Sequence, residues 1–584
     1  MKLFSKISRG KTAVGALIGA AAFAPLSLAQ IAPPETVETA QLASDAFAIG
    51  ALRPGEQPLP RELWAGSEPQ TLDFLLSYAP TRPATPSLGA AMRRILLSPG
   101  DKPAGADASL GGKKLLALTR AGFIDEAQTI SSLATSGRNN VYHAEADAVG
   151  ALLSGNYDAA CRRGANLATG REALFWVKLR ALCYARAGEL DAFDLTVNLL
   201  RERGAFSSVD EAYIMAALSG ANGRAPDDML PAAETALHYA AAHIAGVSIN
   251  PGTLSVGDGG VIASIANDDE TDTALRLEAA MSAVAMGVMN RGDLVRLLNG
   301  VEFDVTDIAN AGDMAAAEPG SPLSDALLFQ SVEAMTAPEF IRDKAARISE
   351  ALSLGDSFHR AYALNVLYAN EIENLEGVIV APEEASRFAA ARMAVGDSVG
   401  AAGWLSVMIG ANSSVAALPE DLGLEFIDQV NLLATLDPQT AAQIARRAGV
   451  STLNENTAFQ ISQPAHQDPA VTSRVLRAAF DAIAQDKTGQ AGLAALAASS
   501  GPVVTGGEIE SVIVSEGLSA AGMPELTRRH LFERAWASQF ASSANPQTPA
   551  GMDNNNSAAN DGSDIETQTA EGGLTPRLKP DMEE

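Results

Sequence analysis

Three glycine turns recur at one spacing in this 584-residue chain, and no other feature limits its fold as much. The first is Ala121-Gly122-Phe123-Ile124-Asp125-Glu126-Ala127. Ser154-Gly155-Asn156-Tyr157-Asp158-Ala159-Ala160 is the second, and Ala187-Gly188-Glu189-Leu190-Asp191-Ala192-Phe193 the third. Gly122, Gly155 and Gly188 stand 33 residues apart each time. Glycine ends one helix, an acid near the start of the next favours its N-terminus, and alanine lets the two helices approach. Neither helix buries its apolar face alone, so consecutive hairpins must stack. The intervening sequence is rich in Ala and Leu, and aromatics are only 5% of the chain, which favours helix over sheet.

The pattern resembles tetratricopeptide-type repeats. That family places Gly at the inter-helix turn and a small Ala five residues later, which Gly122 with Ala127 and Gly155 with Ala160 satisfy. Gly188 has Phe193 at that place, and the family's own period is 34. The resemblance spans residues 111–204 and implies helical hairpins whose concave face holds peptides or proteins. The texture of the chain is also similar to exported, Ala-rich helical proteins of alphaproteobacteria. That likeness rests on Arg93-Arg94-Ile95-Leu96-Leu97-Ser98-Pro99, the Cys161 to Cys183 segment with Phe175-Trp176, and the Gly517-Leu518 to Arg529 end.

The expected architecture is all-α: an irregular α-solenoid of such hairpins with a disordered C-terminal tail. Residues 30–110 read as a proline-rich segment with short helices, the candidates being 72–78 and 88–97. Arg93 and Arg94 on the second read as a solvated helix face. Residues 111–250 hold the hairpins of clearest period, and 251–540 continue them with looser spacing. There Gly292-Asp293, Gly355-Asp356 and Gly396-Asp397 each separate two apolar-periodic stretches. Residues 541–584 are Ser, Asn, Gln, Gly and Asp with almost no large apolar side chain, the composition of disorder.

Lys2, Lys6, Arg9 and Lys11 precede an apolar stretch over 12–23, and Ser27 and Ala29 occupy the small-x-small positions before Gln30. This is the pattern of a signal peptide cleaved between Ala29 and Gln30, which fits export to a bacterial periplasm. Residues 1–29 then leave the mature chain, and no other run of 18 apolar residues follows to span a membrane. The two cysteines, Cys161 and Cys183, flank a reversal near Gly170 on antiparallel helices and sit at nearly the same height. In an exported chain they should form a disulfide.

Acids number 70 and bases 42, a net charge of −28, and losing the four basic residues of the signal takes it to −32. That sign repels phosphate backbones and excludes nucleic acid as a partner. It favours protein partners with basic segments.

Catalytic patterns are present but lack their context. Gly396-Asp397-Ser398-Val399-Gly400 has the letters of a nucleophile elbow, yet a helix over 388–394 precedes it where a strand is needed. Gly355-Asp356-Ser357-Phe358, with His359 beside it, resembles the motif of the GDSL hydrolases and also follows a helix. Glu510-Ser511 resembles the acid and Ser of lytic transglycosylases without the Gly-Leu-Met-Gln segment of that family. Each of these serines reads as a turn or cap residue, and Glu510 as a surface residue. The histidines His143, His238, His243, His359, His466 and His530 show no metal-ligand spacing. Gly257-Asp258-Gly259-Gly260 lacks the Lys-Ser/Thr of a phosphate loop and reads as a turn, as does Arg291-Gly292-Asp293. Asp268-Asp269-Glu270 reads as a solvated helix start. The chain is therefore expected to be a non-catalytic scaffold without cofactor or metal, as part of an envelope assembly. The alternatives are a peptidoglycan- or polysaccharide-active enzyme with a helical superhelix, and a flagellar-motor or motility accessory.

Overall fold

The computed structural model describes residues 44–224, 229–410, 414–450, 469–500 and 508–543. The expected signal peptide with its Ala29–Gln30 junction, His466 and residues 544–584 of the polar tail lie outside them. The described residues are all-α: helices follow one another from Pro69–Ser77 to Pro524–Ser543, and an isolated bridge between Asp45 and Ser136 is the single β-type pairing.

The three periodic turns are built alike. Gly122, Gly155 and Gly188 have φ of 105°, 72° and 70°, the left-handed region where a Cβ is penalised. In each turn the next amide reaches back five residues: Phe123 to Leu118 at 2.9 Å, Asn156 to Ala151 at 2.8 Å, Glu189 to Tyr184 at 3.0 Å. These bonds satisfy carbonyls that the ending helix leaves free. The helices on either side are Ser109–Ala121 and Ile124–Leu133, Val141–Leu153 and Tyr157–Asn166, then Leu174–Ala187 and Leu190–Glu202. Ala127 and Ala160 are buried five residues after the glycine, and so is Phe193. The larger ring thus fills the same inward position rather than breaking the pattern. Gly396 repeats the turn, with Asp397 bonded back to Arg392 at 2.9 Å and capping the next helix through Gly400.

Two expected details change. Gly292 does not separate helices; it lies in the first turn of helix Arg291–Asn299, capped by Asn290, and the chain turns earlier at Gly287. Arg93 is not solvated. It is buried and held by Glu56 and Glu126 at 2.9 and 2.5 Å, while Arg94 pairs with Glu525 at 2.5 Å.

Cys161 and Cys183 lie on the antiparallel helices Tyr157–Asn166 and Leu174–Ala187 with Cα atoms 5.8 Å apart and sulfurs at bonding distance. Gly164 admits the face of Trp176 between these helices, within van der Waals contact of where its Cβ would stand.

Neighbouring hairpins stack, but the packing does not run in one direction only. One apolar core joins residues between Ala46 and Ala146 with residues between Val475 and Leu526. A second runs from Ala144 to Ala448 and takes in Phe532, Ala535, Trp536 and Ala537. Helix Pro524–Ser543 belongs to both. It packs on helix Pro86–Leu97 near the first described residues and on helix Glu420–Leu436 far along the chain. Trp536 sits among Phe358, Tyr362, Phe532 and Phe540, with ring centroids 5.5 to 6.4 Å away. The same helix is also pinned by polar groups. Arg529 donates to the Tyr362 hydroxyl and the Ala394 carbonyl, both at 3.2 Å, and His530 lies 3.3 Å from the Thr85 hydroxyl. The array closes on itself through this helix.

Candidate functional site: an acidic cleft between repeat turns

Two of the periodic turns do more than reverse the chain. Gly122 and Gly155 both line a cleft of about 750 Å³, together with the end of helix Ala236–Ala245, helix Gly259–Asn267 and the start of helix Arg291–Asn299. The acids that open the helix after Gly122, Asp125 and Glu126, meet Asp268, Asp269 and Glu270 of a later turn there. Six carboxylates line the cleft, those of Asp125, Glu126, Asp268, Asp269, Glu270 and Asp293, against the guanidinium groups of Arg53 and Arg296.

Several of the six are already engaged. Glu126 pairs with Arg53 at 3.2 Å and with buried Arg93, which ties the proline-rich segment to the cleft floor. Asp269 pairs with Arg276 at 2.7 Å, and Asp293 with Arg296. Asp268 accepts from the Glu270 amide at 3.0 Å and the Thr271 hydroxyl at 2.6 Å, and its carboxylate lies 3.3 Å from His243 Nε2. Asp125 and Glu270 are exposed and, among the described residues, pair with no Lys or Arg. They are the free anions of the site.

The wall below them is polar. Tyr239 stacks edge-on against His243 at 4.5 Å. Burial, with Asp268 nearby, pushes the Tyr157 hydroxyl up to about 12 and Tyr239 higher still. Ser264 is buried on this wall, and its hydroxyl has no hydrogen-bond partner. Phenols that stay protonated, an unused hydroxyl and free carboxylates make a surface that accepts hydrogen bonds from cations. Asp268-Asp269-Glu270 thus forms part of the cleft rather than a plain solvated helix start.

The other sequence candidates fall elsewhere. Ser398 donates to Asp437 at 3.1 Å and has no histidine partner among the described residues. Ser357 caps helix Phe358–Glu373 by accepting from the Arg360 amide. Glu510 and Ser511 are buried in helix Glu508–Ala520, so Glu510 is not the surface residue expected; it faces Arg534 of the following helix. Gly257-Asp258-Gly259-Gly260 serves close packing. A Cβ on Gly259 would stand 2.4 Å from the Ala121 carbonyl oxygen, and one on Gly260 2.6 Å from that of Thr119. Asp258 beside them pairs with Arg120 at 3.2 Å. His238 stacks on Tyr213 at 4.8 Å and meets Asp210 at 3.2 Å, and His143 meets Ser131 at 2.8 Å. Among the described residues no three His, Cys, Asp or Glu side chains are grouped to hold a metal, and no helix is long and apolar enough to cross a membrane.

No protein-family model, no curated protein and no solved structure matches the chain. The site must be read from its own chemistry. The turns were visible in the sequence as glycines at a fixed period, and their acids as helix starts. Their convergence with Asp268-Asp269-Glu270, more than a hundred residues on, carried no local signal.

Proposed function

We propose that this chain is an exported, non-catalytic helical-repeat scaffold whose acidic cleft receives a basic segment of a protein partner. The observation that carries the reading is the cleft itself: six carboxylates to two arginines, with Asp125 and Glu270 paired to no Lys or Arg among the described residues. Lysine or arginine side chains are its natural complement, because charge-assisted hydrogen bonds to carboxylates are among the strongest available. The net charge of −28 steers such a partner from a distance at low salt. The basic start of the sequence and the Ser27/Ala29 junction support the periplasm as the place of action.

The test is site-directed cross-linking from Asn267 at the cleft in living cells, with mass spectrometry of the captured partner. The adduct should map to a Lys/Arg-rich segment, weaken with salt, and vanish in Asp125→Lys/Glu270→Lys at normal abundance. An adduct unaffected by the double charge reversal overturns the cleft as the binding site. A second arm tests the non-catalytic reading. Ser398→Ala should cost about 1 kcal/mol of stability and complement a deletion strain fully. Loss of function in this variant at normal abundance would replace the scaffold with an enzyme.

A further inference from the structure

A second cavity, of about 620 Å³, lies apart from the acidic cleft. Residues near 82, 254–282, 320–322, 356–360 and 500 line it, so distant parts of the chain meet there. Its charged groups do not satisfy one another. Arg82, on the loop between helices Pro69–Ser77 and Pro86–Leu97, is half-buried; among the described residues its Nη1 has no hydrogen-bond partner and no carboxylate forms an ion pair with it. Desolvation is the one influence on its guanidinium, and it lowers the pKa. His359 feels burial and the repulsion of Arg82, which bring it down to about 4, so the ring is a neutral donor and acceptor. The neighbouring Arg360 is already occupied. It holds buried Asp325 through two contacts of 2.9 Å and the Pro319 carbonyl at 2.9 Å.

Carboxylates share the cavity without neutralising Arg82. Glu278, on helix Thr273–Ala285, forms no ion pair, and Asp356 approaches Arg360 only to 3.7 Å. A half-buried guanidinium with no counter-ion among the described residues leaves a place for an anion. The carboxylates add a place for a cation in the same cavity. Leu254 and Met281 supply apolar wall, and the volume suits a small organic molecule rather than a single ion.

We propose that this cavity binds a small zwitterion of the amino-acid class. Its carboxylate lies on the Arg82 guanidinium and the His359 ring, and its ammonium group faces Glu278 and Asp356. The guanidinium gives the carboxylate a charged donor that no other free group in the cavity offers. The acidic pair rejects plain dicarboxylates by repulsion.

Isothermal titration of the full chain with the L-amino acids, one by one, tests this. At least one should bind, and Arg82→Gln should weaken it by about tenfold or more. The same acid lacking its amino group should bind wild type at least about tenfold more weakly, and Glu278→Gln should not weaken it further. The melting temperature of empty Arg82→Gln should not fall below that of wild type, since Arg82 forms no ion pair among the described residues. No binding by any amino acid, equal binding of the deaminated acid, or unchanged binding in Arg82→Gln would overturn the proposal. A folding defect in empty Arg82→Gln would do the same, by making Arg82 a structural residue.

Discussion

Glu533 accepts two hydrogen bonds from Ser87, 446 residues earlier in the chain: one from the amide at 3.0 Å and one from the hydroxyl at 2.5 Å. Both residues are buried. Glu533→Ala should strand the Ser87 amide, which costs about 1–3 kcal/mol when left unsatisfied out of water, while the Ser87 hydroxyl keeps Thr85 at 3.0 Å. Urea denaturation followed by fluorescence should show that loss in one cooperative transition. A cost below the measurement error would mean the bonds do not hold the ends together.

Lys114 supplies a pH signature. Its buried ammonium donates to the carbonyls of Phe47 and Ile49 at 2.9 and 2.8 Å, and burial brings its pKa down to about 7 from 10.5. Between these values the unfolded chain holds a proton that the folded chain has released, so stability rises with pH across the window and is lost as pH falls through the folded value. Melting temperatures of wild type and Lys114→Met, measured from pH 7 to pH 10, should therefore diverge in favour of wild type as pH rises. A constant difference would show that the lysine stays charged in the fold.

Cys161 and Cys183 close a loop with a sequence separation of 22. In the chain-entropy model such a loop contributes about 3 kcal/mol. Protein prepared without reductant should show no free thiol, and reduction should lower its melting temperature. Two labelled thiols in folded, oxidised protein would contradict the pairing.

Glycines that look alike in sequence should respond differently to alanine. At Gly155 nothing lies within 4 Å of the added Cβ, so Gly155→Ala should cost only the left-handed backbone penalty, about 1–2 kcal/mol. At Gly259 the Cβ would stand 2.4 Å from the backbone oxygen of Ala121, which cannot move without shifting its helix. Gly259→Ala should lose more, about 3 kcal/mol or worse, and widen the acidic cleft. Equal losses in thermal denaturation would refute the distinction.

The local grammar of this fold was legible. Glycine period, acidic helix starts and alanine at the inward position gave the hairpins and placed Cys161 opposite Cys183, because each rests on contacts within a few residues or one turn. What the sequence did not disclose is every feature made by distant segments. Arg93 looked like half of a solvated pair because its partner Glu56 lies on an irregular segment with no periodicity to place it. Glu510 looked exposed because the sequence, which shows a helix from Pro524 to about Phe540, does not show which side of the preceding helix it covers. The orphaned Arg82 sits beside prolines in a loop, where sequence gives no hint that residues near 280 and 360 will surround it.

The helix that closes the array sets an order of events. An open stack of repeats can fold as each hairpin is completed and can fray from either end. Here the first described helices share their core with residues from 475 on, and Thr85 and Ser87 bond His530 and Glu533 of helix Pro524–Ser543. A chain made from its N-terminus must hold those opening helices unfinished until almost all the rest has been produced. Their apolar faces stay uncovered for that interval, which makes the newly made protein a client for chaperones until its last helix arrives.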